Sequence, residues 1–424
     1  MKNSLLYSLG LSRQTFSSNF TPILFILIIA VITVTPILFN EIYATVLWIV
    51  FFLLELNIIS KSDRKLGTIF TIGIIFISMC AIYAIVGISS ASVAYCIHSP
   101  LMYFAPVLGL IIIDRCDNEQ QIRFLFHFLA LAIAVNIADN IWLTYKIGIS
   151  NIVYQKLARI VEEEEGLTGL NLGAAGFVNM AVFYSCMMFM AFLKSNKKVE
   201  KCLFLVYFGI SAYFIVFCSL KASAVLLLVL SLALMYISYR TKEEVGMMLT
   251  LTAIIGGLLF LYRDSIINFL IDIIASDRIT VRLMSLTTEG DVEDSTLMGR
   301  SNLWSVSLQS WLSSVGSFLF GIGDHNWRNF PSVAASGIGN HSDLFDVFGR
   351  YGLMGALLLY SSIKMYYDYL QKIFGSFFKF EIISFFILIL LMGFTKKFVM
   401  AQTAITFFIL FPLTLRYLYN QKTI

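Results

Sequence analysis

From Thr21 the chain is divided into apolar runs of bilayer length, the first of them reading "TPILFILIIAVITVTPILF". A hydrocarbon layer asks for about 20 apolar residues per helix, and only elements that satisfy their own backbone hydrogen bonds survive in it. Spans are read near 21–39, 42–60, 68–88, 95–113, 123–145, 172–193, 203–219, 222–238, 246–262, 352–370, 380–395 and 397–418. The pairs flanking Lys221 and flanking Lys396 and Lys397 can each also be a single re-entrant segment. Composition supports a membrane protein: 58% of the residues are hydrophobic, against roughly 45–50% in soluble domains. Mean hydropathy is +0.83. The expected fold class is therefore an all-α polytopic membrane protein with about 12 transmembrane helices. The opening "MKNSLLYSLGLSRQTFSSNF" is polar and mixed, unlike a cleavable signal peptide. The six cysteines are scattered without CxxC spacing, which argues against a disulfide framework or a metal site.

Sidedness follows from the loops. With both termini in the cytoplasm, the inside segments are "KSDRK", "DRCDNEQQIR", "KSNKKVEK", "YRTKEE" and "KMYYDYLQKIFGSFFK". Together with the termini, and counting Arg416 at the end of the last span, they hold 18 of the 30 Lys and Arg residues, as the positive-inside rule asks. The chain then divides into residues 1–262 with nine spans, an external segment 263–351 between spans 9 and 10, and residues 352–424 with three more. A shorter external loop, 146–171, carries the acidic run Glu162 to Glu165, most simply a solvated face.

The external segment has an unusual cation content. It contains six arginines (Arg263, Arg278, Arg282, Arg300, Arg328, Arg350) and no lysine, whereas lysine outnumbers arginine two to one on the inside. Guanidinium grips phosphate or carboxylate through two parallel hydrogen bonds, which ammonium cannot do. Ten acids in the same segment make it net negative, so the arginines either pair with those acids or hold an anionic substrate. It is not a surface for nucleic acid. Within it, "SNLWSVSLQSWLSSVGSFLF" spaces Leu303, Val306, Leu308, Trp311, Leu312 and Val315 as one helical stripe, which predicts a helix lying along the membrane surface. Arg300 just before it stands either as a phosphate seat at a helix start or in a salt bridge to Asp291 or Asp294.

The stretch "GIGNHSDLFDVFGRYGLMG" follows. Asn340 as N-cap with Asp343 three residues on predicts a helix from His341 into the next span. Asp346 and Arg350, four apart, read as a structural ion pair, with Asp343 on the same face. His341 points elsewhere. At a helix start its imidazole is favoured neutral and can accept a proton, so it is either a general base or a hydrogen-bonded structural residue. Lys221, in "FCSLKASAVLLL", either snorkels to the outer interface or serves a function, as intramembrane charges commonly do.

In order, "SLKAS", "GRSNLW", "GIG" and "NHSDLFDVFGRYGLMG" resemble the O-antigen polymerase and O-antigen ligase-like superfamily of bacterial membrane proteins, over roughly 217–355. The resemblance implies a type C glycosyltransferase-like architecture in the bacterial cytoplasmic membrane, with its active site facing outside. It implies undecaprenyl-diphosphate-linked oligosaccharide as substrate, no cofactor, no metal, and a chain-length regulator as a partner besides the bilayer. His341 would activate the acceptor hydroxyl. Arg300 and Lys221 would hold the diphosphate, with Arg278 and Arg282 of "DRITVRLMSL" as further ligands. The family more usually has arginine at the Lys221 position, and lysine lacks the bidentate fork. Three functions stay open: a polymerase of lipid-linked repeat units, a ligase moving polysaccharide onto a lipid A core, and a transporter or flippase. The last predicts mid-membrane charges and an inverted repeat. No internal repeat is visible, and the main polar exception is Asn136, Asp139 and Asn140 in "AVNIADNIW".

Overall fold

The computed structural model describes residues 119–147, 175–219, 222–239, 297–323, 342–395 and 401–423, together with isolated helical positions between 24 and 109. Every regular element among the described residues is helical. In chain order these are α1 (Glu119–Ile147), α2 (Ala175–Lys194), α3 (Lys198–Tyr213, widening into a π-helical turn at Phe214–Cys218), α4 (Ala222–Tyr239), α5 (Leu297–Trp311), α6 (Val315–Phe320), α7 (Asp343–Thr395), α8 (Ala401–Ala404) and α9 (Phe411–Thr423), with a π-helical stretch Ile405–Leu410 joining the last two. Four described helices are long and apolar enough to cross a membrane: Glu119–Lys146, Gly176–Lys194, Lys198–Cys218 and Leu344–Phe394.

α2 is the centre of the bundle, buried along nearly its whole length and flanked by α3, α4 and the α8–α9 helix. Hydrophobic burial cannot hold helices together where the solvent is itself apolar, so packing and interhelical polar contacts must do it. The Ser185 hydroxyl donates to Ser211 at 2.6 Å, joining α2 to α3. The Cys186 thiol meets Ser231 of α4, and the Tyr184 hydroxyl donates to the Ala130 carbonyl of α1 at 2.7 Å. Among the described residues, Cys80, Cys186, Cys202 and Cys218 form no disulfide with one another. Asn136 and Asn140, which stood out as polar in the sequence, are buried on α1, and Asn140 Nδ2 donates to the Asn136 carbonyl at 3.0 Å. This local bond engages an amide within an apolar span.

α7 has 53 residues, about 80 Å if straight and far more than one span needs. It is broken at Gly352 (φ 63°, ψ −160°) and at Phe378 (φ −131°, ψ 27°). The second break folds it into an antiparallel hairpin. Gln371 Nε2 donates to the Lys379 carbonyl at 3.2 Å, Tyr367 meets Phe386 with ring centroids 4.8 Å apart, and at the open end the Ser342 hydroxyl donates to the Gly393 carbonyl at 2.8 Å. The spans predicted at 352–370 and 380–395 are the two arms. The segment between them, read from sequence as an inside loop, is helical up to the turn.

Contacts sort the helix ends into two groups. At one end Glu200 of α3 is buried and accepts from Arg123 of α1 at 2.9 Å, from Gln421 of α9 at 2.6 Å and from the Tyr417 hydroxyl. Lys194 of α2 pairs there with Glu381 of the second α7 arm at 2.6 Å. These are the ends that carry the basic segments of the sequence. At the opposite end the hydroxyls of Tyr145 (α1) and Tyr213 (α3) meet, and Trp142 is 69% exposed, as an aromatic at a lipid–water interface would be. From Arg123 to Trp142 the helix rises roughly 29 Å, close to a bilayer's hydrocarbon thickness. The second α7 arm runs towards this far end, and α8–α9 returns from it to Gln421. The described stretches on either side of Lys396 and Lys397 therefore run in opposite directions along the bundle.

The Glu200 node predicts a stability effect. Glu200→Ala removes the acceptor of Arg123, Gln421 and Tyr417, and a loss of about 2–4 kcal/mol is expected, below the value for a wholly buried pair because Arg123 is half exposed. Lys364→Ala breaks only the exposed Lys364–Asp368 pair and is expected to change stability by less than about 0.5 kcal/mol. Thermal unfolding of the detergent-solubilised proteins compares them, and equal midpoints would rule out the node as a fastening point.

Candidate functional site

The site is built at the far end, around the first nine residues of α7. That helix begins at Asp343, two residues later than the sequence suggested. The reason is Asp346. One turn into the helix, its Oδ2 accepts the Ser342 N–H at 3.0 Å, while its own N–H donates to the Ser342 carbonyl at 2.8 Å. A carboxylate that takes an orphan N–H in the first turn is stabilised by the helix dipole, so Ser342 becomes the boundary. Its hydroxyl is spent on Gly393 instead of capping.

Asp346 also reaches a different helix. The Ser307 hydroxyl of α5 donates to its Oδ1 at 2.7 Å, with Ser307 fully buried. The sequence reading set Asp346 and Arg350 as an ion pair on a charged surface face. In the structure both are buried, at 3% and 2% exposure, and the two carboxylate oxygens of Asp346 serve Ser307 and Ser342. Around this polar contact Trp304 stacks on Phe345 at 5.1 Å and Trp311 meets Phe348 at 4.7 Å, so α5 lies against the start of α7.

The amphipathic stripe from Leu303 to Val315 is not continuous. α5 stops at Trp311, and α6 starts after Ser314, whose Oγ accepts the Ser317 N–H at 3.0 Å. Ser313 donates to the Ser310 carbonyl at 2.7 Å. Such local hydroxyl bonds compete with the helix ladder and favour a cap over continuation. The buried face of α5 carries Ser307 and Ser310, while Leu312 (64% exposed) and Val315 (77% exposed) point outward. Uncharged exposed side chains beside a membrane bundle suit a segment lying along the membrane surface, with the serines turned inward.

The turn "GIG" then clasps α7. The break at Gly352 leaves the Gly349 and Arg350 carbonyls without a continuing helix, and the N–H groups of Ile322 and Gly323 donate to them at 2.9 Å each. The approach is close enough that a Cβ on Gly321 would sit 2.2 Å from the Arg350 carbonyl carbon. α5, α6 and the start of α7 therefore form one unit, closed by backbone and by Asp346.

Of the residues that the sequence marked for chemistry, Arg300 lies in the first turn of α5, which starts at Leu297 and so includes Arg300 instead of following it. His341, Lys221, Arg278 and Arg282 lie outside the described residues. His341 is joined covalently to Ser342, and Lys221 stands in the chain between Ser219 and α4. Sequence reasoning missed Ser307 as a partner of Asp346. Its only signal was that Ser307 and Ser310 share a face of α5, which an amphipathic reading assigns to water. The Trp304 indole N–H, one turn after Arg300, is buried without a hydrogen-bond acceptor among the described residues. Among those residues there is also no group of three or more His, Cys, Asp or Glu that could hold a metal ion. No protein-family model and no curated protein matches the chain.

Proposed function

We propose that this chain is a membrane glycosyltransferase that joins undecaprenyl-diphosphate-linked oligosaccharide repeats into polysaccharide at the outer face of the bacterial cytoplasmic membrane. The architecture in this reading is type C-like, with about twelve spans. The observation that carries it is the packing of α5, with Arg300 in its first turn, against the helix that starts two residues after His341. This happens at the bundle end opposite the basic helix ends. The arginine-only cation content of the external segment and the buried Trp304 N–H add donors suited to an anionic group.

In this reaction His341 takes the proton of an acceptor sugar hydroxyl, and the oxygen attacks the anomeric carbon in a single displacement with inversion. The C–O bond to the diphosphate breaks, and charge collects on the leaving undecaprenyl diphosphate. Arg300 and Lys221, with Arg278 and Arg282, hold that charge through cations fixed before the reaction begins.

The test is to supply membranes containing the protein with undecaprenyl-diphosphate-linked repeats. A polymer ladder with release of undecaprenyl diphosphate is expected. No release, either with repeats alone or with a lipid A core acceptor added, would overturn the reading. Arg300→Lys keeps the charge and loses the fork. A charge-assisted hydrogen bond is worth about 1.5–3 kcal/mol, so turnover should fall on the order of 10- to 100-fold. Unchanged turnover would remove Arg300 from the diphosphate site.

A further inference from the structure

We infer that Asp346, through Ser307, is a positioning residue that sets the distance between the two halves of the proposed site. The inference rests on the glycosyl-transfer reading above and assigns a role to residues that neither the motifs nor the chemistry required.

One oxygen of the Asp346 carboxylate holds the backbone N–H of Ser342, the residue next to His341 in the chain. The other holds the hydroxyl of Ser307. Ser307 lies seven residues beyond Arg300 on the same helix, which is two turns, so positions 300 and 307 share a face of α5 with a rise of roughly 10 Å between them. A single buried side chain thus links the helix start that follows the proposed base to the helix that carries the proposed leaving-group cation. Both bonds are shielded from water, with Ser307 at 0% and Asp346 at 3% exposure, which strengthens them and narrows the geometries they allow. Trp304 on Phe345 and Trp311 on Phe348 supply area along the same contact. Ring stacking tolerates sliding, whereas a 2.7 Å hydrogen bond to a fixed carboxylate does not. The tether therefore sets register, and the aromatics supply adhesion.

A misplacement of about 1 Å between reacting groups can cost on the order of 100-fold in rate. Electrostatic holding of a diphosphate by several cations is more forgiving. Loss of the tether should therefore show in kcat and spare KM.

Ser307→Ala is the decisive variant because it is nearly isosteric and leaves Asp346 and its bond to Ser342 in place. Its kcat is expected to fall about tenfold, with KM for the lipid-linked donor within about twofold of the parent. Hydrogen exchange of the membrane-embedded protein should quicken in peptides from 297–311 and 342–351 and stay unchanged in α2. Asp346→Ala should lower kcat at least as much, and Ser307→Ala should then have little further effect in the double variant. Faster exchange with unchanged kcat overturns the positioning role, as do a rise in KM alone, a fall in kcat without faster exchange, and independent effects in the double variant. Absence of transfer by the parent protein overturns the glycosyl-transfer reading and this role with it, so the two failures are distinguishable.

Discussion

Membranes carrying the His341→Ala protein are expected to make no polymer and to accumulate lipid-linked single repeats, with the protein present at the parent level. The argument is one of division of labour. Without a base, the acceptor hydroxyl remains a weak nucleophile, and a positioned general base contributes roughly 10²–10⁴-fold to such a step. That loss takes polymer below what a ladder on a gel reveals. Donor binding does not depend on the imidazole, because the diphosphate is assigned to Arg300, Lys221, Arg278 and Arg282, so unreacted repeats should build up instead of failing to bind. A normal ladder in this variant would dismiss His341 as the base. Loss of polymer without accumulated repeats would point to a defect in donor supply or binding. The helix that follows begins at Asp343, with Ser342 held by Asp346.

Gly352→Ala is expected to do the opposite, removing the fold and not merely the chemistry. Gly352 adopts φ 63° and ψ −160°, a region that side-chain-bearing residues enter only at a cost of about 1–3 kcal/mol. A Cβ there would also stand 2.6 Å from Gly321 N, Leu319 C and Phe320 N. All three are backbone atoms and cannot rotate away. The α6–"GIG" segment would have to withdraw, giving up the Ile322 and Gly323 hydrogen bonds to α7. A total loss above about 4 kcal/mol is expected, in the range where single substitutions remove a protein from the membrane altogether. Gly209→Ala provides the contrast. Gly209 lies inside α3 with nothing within 4 Å of a new Cβ, and the change should stabilise by about 0.4–1 kcal/mol. Membrane levels and thermal midpoints of the two variants read the difference. A Gly352→Ala protein as abundant and as stable as the parent would mean that the clasp is not a feature of the folded state.

Several elements could be read from composition and pattern because the bilayer imposes them residue by residue. Apolar runs of the right length marked α1, α2, α3 and both arms of α7, and the ends that meet at Glu200 and at Lys194–Glu381 adjoin basic segments. Each of these follows from local length and local charge, which need no partner to be recognised. The break at Gly352 was not legible: the spacing predicted one helix from His341 into the next span, whereas Gly352 turns the chain at φ 63° and ψ −160°.

The site was legible only as a set of suspects. Asp346 and Arg350 looked like a surface pair because spacing of four places them on one face, and spacing cannot say what covers that face. The covering helix comes from some forty residues earlier in the chain. Ser307 and Ser310 looked solvated for the same reason, and Leu312 and Val315 looked like the packed side of a stripe that in fact stops at Ser314. Near a membrane the usual rule reverses, because lipid accepts the apolar side chains and frees the protein interior for hydroxyls and carboxylates that bond to each other. The sequence by itself determined the number of crossings to expect, their basic ends and the residue types available for chemistry, since hydropathy and charge act locally. Only the tertiary structure decided that Asp346 joins α5 to α7 and that "GIG" closes over Gly352. Those are long-range contacts made through backbone N–H groups and small side chains, which leave almost no trace in a linear pattern.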